Sequence, residues 1–292
     1  MRVPDDVLPW RARPPRRVAT RTFLSPAVRA ALAAGSIDAA TLTGTGVDGR
    51  VTRSDVARGR DVDDEIVPLN NVQQRAGTHL LQSTQLAAHA FVATDVDFEA
   101  VDVVRRATGL TFLPFVARAV VDAIARYPWV NATVDGDRYV TASERVHLGI
   151  AVDLSYEGLV VPVVRDAQDL RLRALARSIA DLARRARSKQ LSPDDVVGGT
   201  FTITNPGPAG TVISVPIINQ PQVAILSTDG VARRPVVVRD ANGRDTIDTR
   251  ATGVLGISFD HSAFDVAYAA GFLREVREIL RSRDWDAEAG GA

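Results

Sequence analysis

The run VLGISFDHSAFDVAYAAGFLREVREIL, residues 254–280, changes its periodicity half-way along. Its first part, VLGISFDH, is short and apolar like a strand, and from Ala263 apolar residues recur at helical spacing. A strand that delivers straight into a helix is a unit of α/β architecture. Working outward, FVATDVDF (91–98) alternates strand-fashion, and LPFVARAVVDAIARY (113–127) presents one apolar helical face closed by Pro128. HLGIAVDL (147–154), LVVPVV (159–164), GTFTITN (199–205) and VAILSTDGV (223–231) read as strands bounded by Gly, Asn or Pro. Leu172, Leu175, Ile179 and Leu182 recur at intervals of 3, 4 and 3, which makes an amphipathic helix with its arginines mostly on the wet face. Residues 67–285 are therefore expected to form one α/β domain with several antiparallel-capable strands and at least three helices.

Upstream the pattern is different. Residues 1–21 combine four prolines with clustered arginines and no periodicity, which predicts a flexible tail. Ser25-Pro26 reads as a helix cap followed by proline at the first helical position, with Val28, Ala31 and Leu32 on one face and Gly35 as the stop. Thr52 to Asp55 spells T-x-x-D, the start of a second short helix. Between them Gly44, Gly46 and Gly49 spell G-x-G-x-x-G, but a dinucleotide site needs a strand before it and a helix opening from it. A tight loop is the simpler reading. Residues 22–59 thus make a small helical domain, joined by an acidic linker, 60–66, to the larger one, with residues 286–292 as a C-terminal tail.

At 292 residues, 46% hydrophobic and 24% charged, the composition is that of a globular protein with one large domain, or one large and one small. Lys+Arg and Asp+Glu are both 35, but residues 1–60 hold eleven Arg and five Asp, a net of +6, leaving −6 for residues 61–292. A balanced total argues against a nucleic-acid binder. With no cysteine there is no thiolate metal site, Cys nucleophile or thiol redox chemistry on the chain. The four histidines, His79, His89, His147 and His261, offer no metal-ligand spacing, so no metal is expected. No apolar run reaches the 18 residues of a membrane span and the N-terminus does not read as a signal peptide, so a cytoplasmic protein with no membrane partner is expected.

Two places could carry chemistry. His261 stands between the strand and the helix of the opening run, with Asp260 beside it and Asp265 four residues on. One helical turn would put Asp265 on the imidazole's side, giving either an oriented general base or merely a capped helix start. The second is Thr202-Ile203-Thr204-Asn205-Pro206-Gly207, where a strand ends in a turn that either exposes a hydroxyl or is ordinary strand threonine.

The combination of LSPDDVVGGTFTITNPGPAGT (191–211), VPIINQPQVAIL (215–226) and ISFDHSAFDVAYAAGFL (257–273) resembles the acyltransferase core of the dihydrolipoyl acyltransferases of 2-oxo acid dehydrogenase complexes. SPAVRAALAAGSIDAATLTGTGVDGRVTRSDV (25–56) is similar to that family's peripheral subunit-binding domain, a module that holds dehydrogenase partners. The resemblance implies a chloramphenicol acetyltransferase-like α/β sandwich, preceded by the small helical domain and assembled as trimers with active sites between subunits. It implies that His261 is the general base, that Thr204 donates to the oxyanion of the tetrahedral intermediate, and that Asp265 orders or touches the site, with Thr204 and His261 coming from different chains. Asn205 and Pro162 are implied as contacts to coenzyme A, the acyl carrier.

Two departures from the family pattern Asp-His-Arg-x-x-Asp-Gly stand out: Ser262 replaces the arginine and Val266 the glycine. Only one lysine exists, Lys189, so no lipoyl lysine precedes the core and covalent lipoate on this chain is not expected. These features suggest an acyl-CoA-dependent acyltransferase that moves acetyl to a hydroxyl of a small-molecule or carrier-bound acceptor in bacterial specialised metabolism, tetronate O-acetylation being an example. The alternatives are a dihydrolipoyl acyltransferase core subunit served by lipoyl domains in trans, and a non-catalytic scaffold. Arg29, Arg50 and Arg53 offer the head a basic face for an acidic partner.

Overall fold

A computed structural model describes residues 24–35, 37–58, 68–135, 138–141 and 145–290. The expected tail, 1–21, and linker, 60–66, lie outside them. The chain divides into two compact units, 1–69 and 70–292.

In the first unit α1 (Pro26–Gly35) and α2 (Arg53–Arg58) close over Val28, Leu32, Val51 and Val56. Ser25 Oγ accepts from Val28 N at 3.3 Å, the cap expected at that position. So small an apolar cluster is reinforced by one buried carboxylate. Asp55 accepts from Thr45 N (3.1 Å), Thr45 Oγ1 (2.7 Å), Thr52 N (2.7 Å) and Thr52 Oγ1 (2.8 Å). Burial raises its pKa, but the backbone and hydroxyl bonds from Thr52 and Thr45 outweigh that and hold it at about 2. The G-x-G-x-x-G stretch is the tight loop between the helices: Gly46 N donates to Arg50 O at 2.9 Å, and Gly49 takes a φ of +74°.

The second unit begins with α3 (Asn71–Leu86), opened by a reciprocal capping box between Asn70 and Gln73. Then follow β1 (His89–Asp97), α4 (Glu99–Thr108), α5 (Phe112–Arg126), β2 (Ala132–Asp135), β3 (Arg138–Thr141), β4 (Leu148–Ile150), β5 (Val152–Asp153), β6 (Leu159–Val160) and β7 (Val163–Val164). After α6 (Leu172–Arg187) come β8 (Phe201–Thr204), β9 (Ala224–Thr228), β10 (Ala232–Arg239), β11 (Asp245–Asp260), α7 (Val266–Ser282) and α8 (Trp285–Glu288). Seven strands make one mixed sheet in the order β1-β11-β9-β8-β4-β7, with β10 paired to the first half of β11. β8 runs parallel to both neighbours, β4 and β9, while β9 and β1 run antiparallel to β11.

The core is filled from both element types. α5 is buried along most of its length, and its Phe115 meets Trp285 edge-on with ring centroids 5.2 Å apart. Each such fully buried aromatic contributes roughly 1.5–3 kcal/mol relative to exposure. α8 continues to Glu288 and Ala289 is 2% exposed in the core, so packed structure extends beyond residue 285 into the stretch read as a tail. Among the described residues no helix is long and apolar enough to cross a membrane, and no group of three or more His, Cys, Asp or Glu could hold a metal ion.

Candidate active site

β11 delivers His261 to the end of the sheet, and the turn that follows is tied down by Asp260. This carboxylate is 3% exposed, and its Oδ1 accepts from Ala88 N (3.2 Å), Ser262 N (2.9 Å) and Ser262 Oγ (2.6 Å). Ala88 O in turn accepts from His261 N at 2.9 Å. The segment before β1 and the turn after β11 are thereby cross-linked around the histidine. The His261 imidazole is exposed, stacks on the Phe259 ring at 5.9 Å and 30°, and has no hydrogen-bond partner among the described residues. Phe259 itself stacks on Phe264 at 5.0 Å and 13°, so the imidazole rests on a rigid aromatic base. Neighbouring His89 is fixed by two backbone groups, Nδ1 facing Ala87 O at 3.1 Å and Nε2 accepting from Ile218 N at 3.1 Å.

Asp265 departs from the helical-turn expectation. Residues 261–265 form a turn, and α7 begins only at Val266, so the carboxylate is not stacked one helical turn from the imidazole. It is the N-cap of α7, accepting from Tyr268 N at 2.8 Å, so this carboxylate caps the helix and makes no hydrogen bond to the imidazole.

Thr204 ends β8, half-buried, in register with Ser227 of β9, which pairs with Gly256 of β11. His261 lies five positions beyond Gly256, about 16 Å along the strand, and β8 lies two strands, about 10 Å, away from β11. One chain therefore does not bring Thr204 and His261 together. Beside Thr204, Asn205 Oδ1 accepts from Gly207 N at 3.2 Å and shapes the turn, while its amide nitrogen has no partner among the described residues. Pro162 is buried, and its carbonyl accepts from Ile150 N at 2.9 Å.

Sequence reading missed the residue that shapes the loop after Thr204. Asp229, 3% exposed, accepts from Thr211 Oγ1 (2.6 Å), Ser214 N (3.1 Å) and Ser214 Oγ (2.7 Å). In the sequence it is one half of an Asp-Gly pair and looks like an ordinary turn residue. The held loop leaves Val212, Ile213 and Val215 more than half exposed, an apolar surface of the kind that marks an interaction site.

A family model described as "2-oxoacid dehydrogenases acyltransferase (catalytic domain)" matches residues 61–285, and one described as "e3 binding domain" matches residues 22–57. The chain is 35% identical, over 91% of its length, to the dihydrolipoyllysine-residue acetyltransferase component of the pyruvate dehydrogenase complex of Mycobacterium bovis. It is 33% identical, over 88% of its length and 70% of the relative's, to the dihydrolipoyllysine-residue succinyltransferase component of the 2-oxoglutarate dehydrogenase complex of Escherichia coli. It spans about half the length of several relatives, 56% of the M. bovis protein and 45% of a Corynebacterium glutamicum one. Among solved structures, a probable dihydrolipoamide acetyltransferase from Listeria monocytogenes superimposes with a TM-score of 0.68 at 32% identity, covering 75% of this chain and 95% of that one. The dihydrolipoamide acetyltransferase of Azotobacter vinelandii, solved to examine a serine, a histidine and an asparagine in its catalytic mechanism, gives 0.70 at 29% identity, covering 78% and 94%. These relatives are named for dihydrolipoyl groups. The expected hydroxyl acceptor in specialised metabolism finds no support among them, and the alternative of a core subunit served by lipoyl domains fits better.

Proposed function

The chain belongs to the 2-oxoacid dehydrogenase acyltransferase family, and from that premise we propose that it is a dihydrolipoyl acyltransferase core subunit, moving an acyl group between coenzyme A and a dihydrolipoyl arm that these 292 residues do not themselves carry. His261 takes the proton from the attacking thiol, and the thiolate adds to the carbonyl carbon of the acyl thioester on the other carrier. The Thr204 hydroxyl donates to the oxygen that becomes negative in the tetrahedral intermediate. Collapse breaks the old C–S bond, and His261 returns its proton to the departing thiolate. The sequence runs equally in reverse, so either thiol can be the acceptor.

The observation that carries this reading is the placement of His261, anchored through its backbone and stacked on Phe259, with both ring nitrogens left open to a substrate thiol. Asp265 is a positioning residue in this scheme, since it caps the helix that follows the base. It stands four residues after His261, the spacing of the histidine and asparagine named in the A. vinelandii relative. Asn205, with its open amide next to Thr204, is assigned to coenzyme A, and Pro162 to the wall beside it.

Because Thr204 and His261 stand apart within one chain, we assign each working site to two copies, Thr204 of one and His261 of the next, in a homotrimer. The exposed Val212, Ile213 and Val215 beside Thr204 are the surface such a neighbour would cover. The head, with Arg29, Arg50 and Arg53 all exposed, is assigned to an acidic protein partner of the complex. Incubation with acetyl-CoA and free dihydrolipoamide, followed by thioester formation, tests the activity. S-acetyl-dihydrolipoamide is the expected product, and turnover confined to alcohol acceptors would count against the assignment.

A further inference from the structure

Residues 87–89, between α3 and the first turn of β1, are bonded to two other parts of the chain. Ala88 gives both backbone groups to the end of β11, its N–H to Asp260 Oδ1 and its carbonyl to His261 N. His89 uses its side chain on the segment that links β8 to β9. Its Nδ1 lies 3.1 Å from Ala87 O and its Nε2 3.1 Å from Ile218 N. A carbonyl only accepts and an amide N–H only donates, so these partners fix the tautomer: Nδ1 carries the proton and Nε2 is bare. With both nitrogens engaged, His89 is not free to take a proton from a substrate, and its part is a different one.

Ile218 is fully buried and clusters with Ala87 and Ile225. Among the described residues neither of its backbone groups meets another backbone group. The carbonyl accepts from the fully buried Ser83 Oγ at 2.6 Å, and the N–H depends on His89. A buried amide that loses its acceptor is driven to turn or to open to water. Four residues earlier Ser214 is pinned as well: its N–H and Oγ donate to Asp229, and its carbonyl accepts from Ser227 Oγ at 3.0 Å. Between these two pins stand Val215 and Ile217, both exposed, so the placement of this apolar strip is set at one end by β9 and at the other by His89 and Ser83.

We propose that His89 is a positioning residue for acyl transfer: it fixes the apolar strip assigned above to the neighbouring copy, and with it the placement of that copy's His261 against this chain's Thr204. The inference rests on the acyl-transfer reading and on the two-copy site. It also has a direction. His89 acts on the site to which its own chain brings Thr204. The site to which its own chain brings His261 depends instead on the backbone of Ala88, which a change of side chain at position 89 leaves in place.

The test uses His89→Ala, which removes the acceptor of Ile218 N, and His89→Gln, which keeps an acceptor oxygen at similar reach. His89→Asn, which retains a donor for Ala87 O but ends short of Ile218, takes the place of the alanine variant should that one not fold. His89→Ala is expected to lower kcat for acetyl transfer to dihydrolipoamide about tenfold with KM values within about twofold of wild type, and His89→Gln to restore kcat to within about twofold. Hydrogen exchange of the Ile218 amide should quicken about tenfold or more in the alanine variant and stay slow in the glutamine one. Direction is read from co-refolded mixtures of His261→Ala and Thr204→Ala proteins, in which the first supplies the threonine of every intact site and the second the histidine. Adding His89→Ala to the His261→Ala chain is expected to lower the recovered activity about tenfold, and adding it to the Thr204→Ala chain to leave it within about twofold. Equal losses in the two mixtures, a loss confined to the second, or unchanged Ile218 exchange in folded His89→Ala overturns the inference. A wild type that transfers no acetyl to dihydrolipoamide, with Ile218 exchange still quickened by His89→Ala and kept slow by His89→Gln, would remove the acyl-transfer reading and leave His89 as the latch of this strip.

Discussion

Ser262 Oγ donates to Asp260 Oδ1 at 2.6 Å, so the serine that stands where the family pattern has arginine still ties the turn of the candidate base to its buried carboxylate. The donor is neutral, and two backbone N–H groups, those of Ala88 and Ser262, share the same oxygen. Replacing the carboxylate leaves all three donors without their acceptor. Asp260→Ala is expected to lower stability by roughly 2–4 kcal/mol, and Ser262→Ala by only about 1 kcal/mol. Urea unfolding of the two variants checks the order; equal effects would mean that Asp260 does not anchor this turn.

Asp265 supplies the cap of α7, accepting from Tyr268 N at 2.8 Å. Its carboxylate charge matters less than its oxygen, so Asp265→Asn should keep both stability and kcat close to wild type. Asp265→Ala should cost about 1 kcal/mol of stability. A loss of kcat of a hundredfold or more in the asparagine variant would instead place the carboxylate in the chemistry.

His261 and Thr204 are assigned different parts of one step, and their variants should differ in kind. His261→Ala removes proton transfer, with an expected fall in kcat of about 100- to 10,000-fold and little change in KM. Thr204→Val removes one oxyanion donor at nearly constant volume, for about 100- to 1,000-fold. Retention of wild-type turnover by either variant, measured with dihydrolipoamide and acetyl-CoA, removes that residue from the mechanism.

The head domain should be acid-sensitive through Asp55. Its folded pKa, about 2, lies below the ordinary carboxylate value, so the group contributes stability above that ordinary value and loses it as pH falls toward 2. The contribution is about 2 kcal/mol, and the window runs from about pH 4 down to 2. Hydrogen exchange of the amides of residues 45–56 should therefore quicken across that window and be fast already at neutral pH in Asp55→Ala. Exchange unaffected by the substitution would show that the four bonds to Asp55 do not hold the loop.

Much of this architecture was legible because burial writes a period into the chain. α5, α6, the central strands and the passage from β11 to α7 all pack one face on the core, and their apolar residues recur accordingly. α3 was not legible, since Ser83 is its one buried residue among those described and no apolar stripe forms. The hairpin of β10 with residues 245–251 of β11 was missed for the same reason: those strands pair only with each other, and Val237 and Ile247, opposite in register, are both exposed. α4 is amphipathic, with Val101 and Val104 buried, and its short span after a strand hid it. At the site the motifs named His261 and Thr204, while their separation depends on sheet register, which no local pattern encodes. Asp265 was misplaced because an interval of four means one face only within a helix, and the helix starts one residue later.

The separation of Thr204 and His261 on one sheet makes a shared site between copies the central claim, and mixing inactive variants tests it most directly. His261→Ala and Thr204→Ala proteins, each inactive alone, are unfolded together in denaturant, refolded as a one-to-one mixture and assayed for acetyl transfer to dihydrolipoamide. In a ring where each site takes the histidine from one copy and the threonine from the next, random assembly leaves roughly a quarter of sites with both residues intact. The account predicts recovery of up to about that fraction of wild-type activity in the mixed sample, and none when the two proteins are refolded separately and then combined. Activity in the co-refolded sample no greater than the sum of the two variants would contradict it.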